Sequence, residues 1–191
     1  MTQTFNCKVV IIGDSCTGKS SIAIRYVNNK FIDLQENTIG AAFLQKDIFT
    51  NWGKITYEIW DTAGQERYKS LTPMYYRNAK VAIIVFDLTN ETSFYNSLNW
   101  IKEINEKCDD IITVLVGNKC DLDNQINKEL IQETIKSYNI SYYETSAKEN
   151  YNISNLFNDI SLNFKKINNN YSPVEIKSNN NDYYKKINNC C

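Results

Sequence analysis

Gly13-Asp14-Ser15-Cys16-Thr17-Gly18-Lys19-Ser20 is the stretch on which the fold of this chain turns. It fits the pattern GxxxxGK[ST], and its neighbours give that pattern mechanical meaning. Before it, Cys7-Lys8-Val9-Val10-Ile11-Ile12 reads as a strand; after it, residues 18–28 read as a helix. In a strand–loop–helix unit the backbone N–H groups from Ser15, Cys16, Thr17 and Gly18 through Lys19, Ser20 and Ser21 can cradle phosphate oxygens, and the helix N-terminus adds its positive dipole end. Lys19 is placed to neutralise the β- and γ-phosphates, and the Ser20 hydroxyl to supply an oxygen to Mg²⁺. From average residue usage the pattern arises by chance in roughly one chain of this length per hundred. The flanking strand and helix make that coincidence rarer still.

The same alternation continues outward. Residues 45–50 and 54–60 alternate apolar with polar, as half-buried strands do, around the hairpin signal Asn51-Trp52-Gly53. Residues 81–86 and 111–116 are unbroken apolar runs rich in branched side chains, the pattern of strands covered on both faces. Helical spacing occupies 93–107, 128–138 and 153–165, with a short strand at 140–143. These elements predict an α/β three-layer sandwich: a six-stranded, mostly parallel sheet with one antiparallel hairpin strand and helices on both faces. Ligands of such sheets sit at the carboxyl ends of the strands, where the glycine-bearing and polar loops fall.

Composition narrows the chemistry. The 191 residues carry a net charge of −1, which gives no overall attraction to nucleic acid. The chain has no histidine, which removes Ser-His-Asp and Cys-His triads and imidazole zinc ligands. Its six cysteines show no CxxC spacing, and Met1-Thr2-Gln3-Thr4-Phe5-Asn6 lacks the layout of a secretory signal, so a reduced, cytosolic protein is expected. One globular domain is expected over residues 1–166. Beyond it, the runs Asn168-Asn169-Asn170, Asn179-Asn180-Asn181 and Asn188-Asn189 make 167–191 a flexible tether.

Three further loops follow strands. Asp61-Thr62-Ala63-Gly64-Gln65-Glu66 brings an Asp able to hold Mg²⁺ through water, a glycine with no side chain to block its N–H, and a Gln able to orient an attacking water. Asn118-Lys119-Cys120-Asp121 offers a carboxylate that can accept both adjacent donors of guanine; adenine would leave Asp121 unpaired, costing on the order of 10²-fold in affinity. Asn118 would hold its loop and the Lys119 stem would lie over the base. In Thr145-Ser146-Ala147-Lys148, the Ala147 N–H would reach the guanine O6 and Lys148 would cover the ring. Each string alone would pass as a turn or a helix cap. Together, in this order and at strand ends, they are specific.

These motifs resemble those of the Ras superfamily of small GTPases over about residues 7–165. The resemblance implies a switch cycling between GDP and GTP, with Phe31 stacked on the base, Thr38 as the mobile loop's Mg²⁺ ligand, and hydrolysis that is slow unaided, on the order of 10⁻⁴ per second for Ras itself. Ile39-Gly40-Ala41-Ala42-Phe43, Tyr75-Tyr76-Arg77-Asn78-Ala79 and Ile84-Val85-Phe86-Asp87-Leu88-Thr89 are similar to the Rab branch, and Ala41-Ala42 with Arg67-Tyr68 and Pro73-Met74 to its early-endosomal (Rab-five-like) group. Asn78 departs from the glycine usual in the family at that point.

The Rab resemblance implies an effector patch of Phe43, Trp60 and Tyr75, lipidation at Cys190 and Cys191, and a monomer on the cytoplasmic face of intracellular membranes, the early endosome in particular. It implies exchange factors, GTPase-activating proteins, GTP-state effectors, Rab escort protein with geranylgeranyl transferase, and GDP-dissociation inhibitor as partners. Two lipid chains would anchor stably where one holds only marginally. Whether Gln65 itself positions the water is open, because Rab-type activators are thought to insert a glutamine of their own. The alternatives are a Rab of another trafficking step or a Ras-like signalling GTPase; a non-hydrolysing scaffold and a P-loop phosphotransferase fit Gln65, Thr38 and the guanine-facing loop less well.

Overall fold

A computed structural model describes residues 3–169. The elements run β1 (Thr4–Ile12), α1 (Lys19–Asn28), β2 (Ala41–Thr50), β3 (Gly53–Thr62), a 3₁₀ segment (Glu66–Leu71), α2 (Thr72–Tyr76), β4 (Val81–Asp87), α3 (Glu91–Lys107), β5 (Ile112–Asn118), α4 (Lys128–Tyr138), β6 (Ser141–Thr145) and α5 (Ile153–Asn169). The six strands form one sheet in the order β2-β3-β1-β4-β5-β6. Every adjacent pair is parallel except β2 with β3, which are antiparallel. The expected sheet is the observed one.

The strands sort their side chains by parity. On β1, Cys7, Val9 and Ile11 enter a core shared with Ile22 and Tyr26 of α1 and Phe157 of α5. Val10 and Ile12 enter the opposite core, with Phe94 and Ile101 of α3 and Ile131 of α4. Tyr26 and Phe157 stack with ring centroids 3.6 Å apart, and Tyr57 meets Phe157 edge-on and donates its hydroxyl to the Phe157 carbonyl at 2.9 Å.

Asparagine does local work in this chain. Asn90 and Asn127 cap α3 and α4, accepting from Ser93 N and Glu129 N. Asn29 and Asn139 close α1 and α4 in the left-handed region, where a short polar side chain is tolerated. Asn78 stands at φ 59°, so it takes the backbone shape for which glycine is the usual choice.

Two features were not legible beforehand. The 3₁₀ segment and α2 follow Gln65 with no periodic signal, and α5 runs to Asn169, four residues past the expected helix end at 165. Residues 167–169, expected as the start of the tether, form the end of α5; residues 170–191, with the cysteine pair, lie outside the described residues. No helix among the described residues is long and apolar enough to cross a membrane.

Candidate functional site

All four loops open onto one cavity of about 390 Å³ at the carboxyl ends of the strands. Ser15, Cys16, Gly18, Lys19, Ser20 and Ser21 line its phosphate end; Thr38, Gly64 and Gln65 close one side. Asn118, Lys119, Asp121, Ala147, Lys148 and Phe31 line the other end. Thr17, Asp61 and Ser146 are buried and do not line it: the Thr17 hydroxyl donates to Asp14 O at 3.0 Å, Ser146 Oγ accepts from Glu149 N at 3.0 Å, and Asp61 stands behind the Thr38 hydroxyl.

The glycine loop is wedged from two sides. A Cβ on Gly13 would lie 2.1 Å from Val85 O, and one on Gly18 2.2 Å from Asn118 Nδ2. Cys16 sits at φ 62° in the loop. Helix α1 begins with no side-chain cap, so its first N–H groups remain open to an anion. Lys19 is only 5% exposed, and its ammonium donates to Asp14 O at 2.5 Å. Burial pulls its pKa down to about 8, against the opposing pull of the Asp61 and Asp14 charges. A phosphate at this spot would restore the lysine's charge.

Beside Lys19, three oxygen-bearing side chains meet. Ser20 Oγ lies 2.9 Å from Thr38 Oγ1, which donates to Asp61 Oδ2 at 3.3 Å. Asp61 is 2% exposed, and its Oδ1 has no hydrogen-bond partner among the described residues. Burial raises its pKa, opposed by the Ser20 and Thr38 hydroxyls and the Lys19 charge. A buried, unpaired carboxylate oxygen beside two hydroxyls is a hard-oxygen donor set, which suits Mg²⁺. The residues present fit that ion.

The base-facing end is held by Asn118. Its Nδ2 donates to Thr17 O at 2.9 Å, while its Oδ1 accepts from Thr145 Oγ1 at 3.1 Å and from Ala147 N at 3.4 Å. One side chain therefore ties the glycine loop, the 118–121 loop and the 145–148 loop together. Lys119 donates to Asp87 Oδ2 at 2.5 Å, which anchors its ammonium and leaves its stem toward the cavity. Sequence reasoning missed Arg25, which donates to Ala147 O at 2.8 Å and Lys148 O at 2.9 Å and lies 5.9 Å from the Phe31 ring. A contact spanning 122 positions carries no local signal. It also missed Asn96, which donates to Asp14 Oδ2 at 2.7 Å.

Gln65 reaches the cavity wall with its Oε1 accepting from Arg67 Nε at 2.6 Å. The backbone of Gly64 presses on the glycine loop: a Cβ there would lie 2.4 Å from Ser15 N. Next to these segments, Phe43, Trp60 and Tyr75 form a contiguous aromatic row, with centroids 5.3 Å and 5.8 Å apart, and Phe43 is 52% exposed.

A strand–loop–helix phosphate cradle, a hydroxyl–carboxylate cluster and a base-facing carboxylate around one cavity define a P-loop nucleotide switch. A family model described as the Ras family matches residues 8–166. GTP-binding protein YPT53 of Saccharomyces cerevisiae is 48% identical over 163 residues, covering 81% of this chain and 74% of the relative. Ras-related protein Rab-5A of Dictyostelium discoideum is 42% identical over 161 residues, covering 83% of this chain and 80% of the relative. Ras-related protein RABF2a of Arabidopsis thaliana matches at 42% over the same length and coverage. The chain belongs to the Ras family of small GTPases, in its Rab branch.

Proposed function

We propose that this Rab GTPase acts in early-endosomal traffic, with GTP held across the cavity, its phosphates on the glycine loop and Lys19, and its base against Asp121. As a Rab it hydrolyses GTP and serves vesicular transport through regulators and effectors. The observation that carries the site reading is the meeting of Ser20, Thr38 and Asp61 beside Lys19, at the end of the cavity opposite Asp121. Those three residues would hold Mg²⁺, Asp61 through water. The ion would supply positive charge to the phosphate oxygens as charge develops on them.

Thr38 and Gly64 sit on the two segments that flank the phosphate end, so a γ-phosphate bound there would order both, and its loss would release them. Gln65 can offer a water one acceptor and one donor once its Oε1 leaves Arg67. The aromatic row of Phe43, Trp60 and Tyr75 joins β2, β3 and α2, so a partner touching it would sense the order of both segments. Exchange factors, GTPase-activating proteins, GTP-state effectors, escort protein with its prenyl transferase, and GDP-dissociation inhibitor are the partners this reading requires. Lipidation at Cys190 and Cys191 would hold the monomer on the cytoplasmic face of the endosome.

Single-turnover hydrolysis tests the reading. Gln65→Leu should slow GTP turnover while leaving GDP and GTP binding intact; unchanged turnover with and without an activator would refute the role of Gln65. Purified protein with no preference for GTP over ATP would sink the site assignment. For location, tagged wild type should sit on early endosomes and a variant lacking Cys190 and Cys191 in the cytosol.

A further inference from the structure

The end of the domain opposite the nucleotide carries an aromatic tip that the switch does not use. The β2–β3 hairpin turns through Asn51 and Trp52, and the Thr50 hydroxyl fastens it, accepting from Gly53 N at 3.1 Å and donating to Gly53 O at 2.7 Å. Gly53, at φ 157°, lies so close under the N-terminal strand that a Cβ would be 2.6 Å from Gln3 O. The tip is thus a rigid corner. On one face Phe49, 80% exposed, stands opposite Lys54 in the strand register. On the other, Trp52 packs on Phe5 at 5.0 Å between centroids.

Helix α5 ends at this same corner. Lys165, on its last turns, places its ammonium 5.8 Å from the centre of the Trp52 ring, and Lys166 beside it is exposed. Lys54 is paired with Asp47 at 2.8 Å, so among the described residues Lys165 and Lys166 are the charge in excess around the tip. Residues 170–189 then separate α5 from Cys190 and Cys191. Even fully extended, twenty residues reach at most about 70 Å, so lipidated cysteines would keep this corner within that distance of the bilayer. Aromatic rings with lysines at their rim are the residue types that settle at the headgroup boundary.

We propose that the Phe49–Trp52 hairpin tip, with Lys165 and Lys166, is a membrane-docking surface that inserts at the headgroup level of an anionic bilayer and fixes the orientation of the domain. This rests on the reading that Cys190 and Cys191 are lipidated. At about 3.3 Å per residue, the nine residues of β1 hold the glycine loop some 30 Å above the tip. The docked domain therefore presents its cavity and its aromatic row to the cytosol. Because the tether confines the domain near the lipid, weak contact suffices to orient it.

The test uses the full chain, GDP-loaded, with a hexahistidine tag after Cys191 holding it on vesicles that contain nickel-chelating lipid. Insertion is then read whether or not cells lipidate the cysteines, and lipidation is read separately from the mass of the chain isolated from cells. With brominated phosphatidylcholine and phosphatidylserine in the vesicles, the new indole of Phe49→Trp should be quenched, as should the emission that Trp52→Phe removes. Phe49→Ala should weaken insertion about tenfold, the scale for losing one buried aromatic ring. Tyr95→Ala, which alters an exposed aromatic on α3, should change nothing. Absence of quenching at both positions overturns the proposal, and so does equal quenching in Phe49→Ala. A dimer in solution that Phe49→Ala abolishes would overturn it in favour of a contact between copies. Undiminished quenching without phosphatidylserine would overturn the part given to the lysines.

Discussion

Asn118→Ala should unfasten the site more than any other single truncation of a polar side chain. Asn118 is 2% exposed, and its amide joins Thr17 O, Thr145 Oγ1 and Ala147 N at 2.9, 3.1 and 3.4 Å. The two shorter bonds are each worth about 1 kcal/mol net, and the buried Thr17 carbonyl and Thr145 hydroxyl left unpaired add a desolvation penalty of about 1–3 kcal/mol each unless water enters. The expected loss of stability in the nucleotide-free domain is therefore about 2 kcal/mol where water pairs both groups and about 4–8 kcal/mol where it does not. The loops themselves also lose register, since Asn118 spans 101 positions to the glycine loop and 27 to Thr145. GDP affinity should fall at least tenfold as a result, with both base-facing loops displaced. Urea unfolding at several GDP concentrations, extrapolated to none, separates the two effects, because bound ligand adds RT ln(1 + [L]/Kd). Thr145→Val supplies the partner for a double-mutant cycle, and the pair should couple by about 0.5–1.5 kcal/mol. A stability loss under about 1 kcal/mol with unchanged GDP affinity would refute the idea that one amide knits three loops.

Gly64→Ala would place a methyl 2.4 Å from Asp14 C and Ser15 N, both backbone atoms, so the segment after β3 must lift off the glycine loop. GDP binding should survive while GTP loses its ability to order that segment; effector capture by GTP-loaded protein should fall well below wild type, and equal capture would show that the close approach is dispensable. Cys7 is fully buried and its thiol is pushed up to about 12 by burial, whereas Cys16 is exposed at the cavity. A thiol reagent at pH 8 should therefore modify Cys16 at once and Cys7 only at the rate of unfolding. Because the folded state holds the Cys7 proton to higher pH than the unfolded chain does, this group's contribution to stability is complete below about pH 9 and is lost as pH rises toward 12. Prompt native-state labelling of Cys7, followed by mass spectrometry, would contradict both statements.

Much of this protein was legible in its linear sequence because the informative units are short. Strand parity in Cys7 to Ile12, the glycine loop and the start of α1 lie within about twenty consecutive residues, where backbone preference and side-chain period act locally. The same holds for the Asp61, Asn118 and Thr145 loops, each following its own strand. Element bounds shifted mainly outward: β1 begins at Thr4 and β2 at Ala41, since pairing with β3 extends both beyond their apolar cores.

Tertiary structure alone decided how the loops are tied and what surrounds them. Asn118 as a three-way brace, Arg25 as a strap onto Ala147 and Lys148, and Asn96 on Asp14 depend on residues 82 to 122 positions apart, or on the geometry that brings 118, 17 and 145 within bonding distance. The unpaired Asp61 oxygen is visible only once Ser20 and Thr38 stand beside it. The 3₁₀ segment and α2 have too few periodic positions to announce themselves, and Pro73 with the packing of Tyr76 against α3 sets them. Local chemistry chooses the ligand class; packing across the sheet decides which atoms face it, because such distances depend on every element between the two residues and on no single window of sequence.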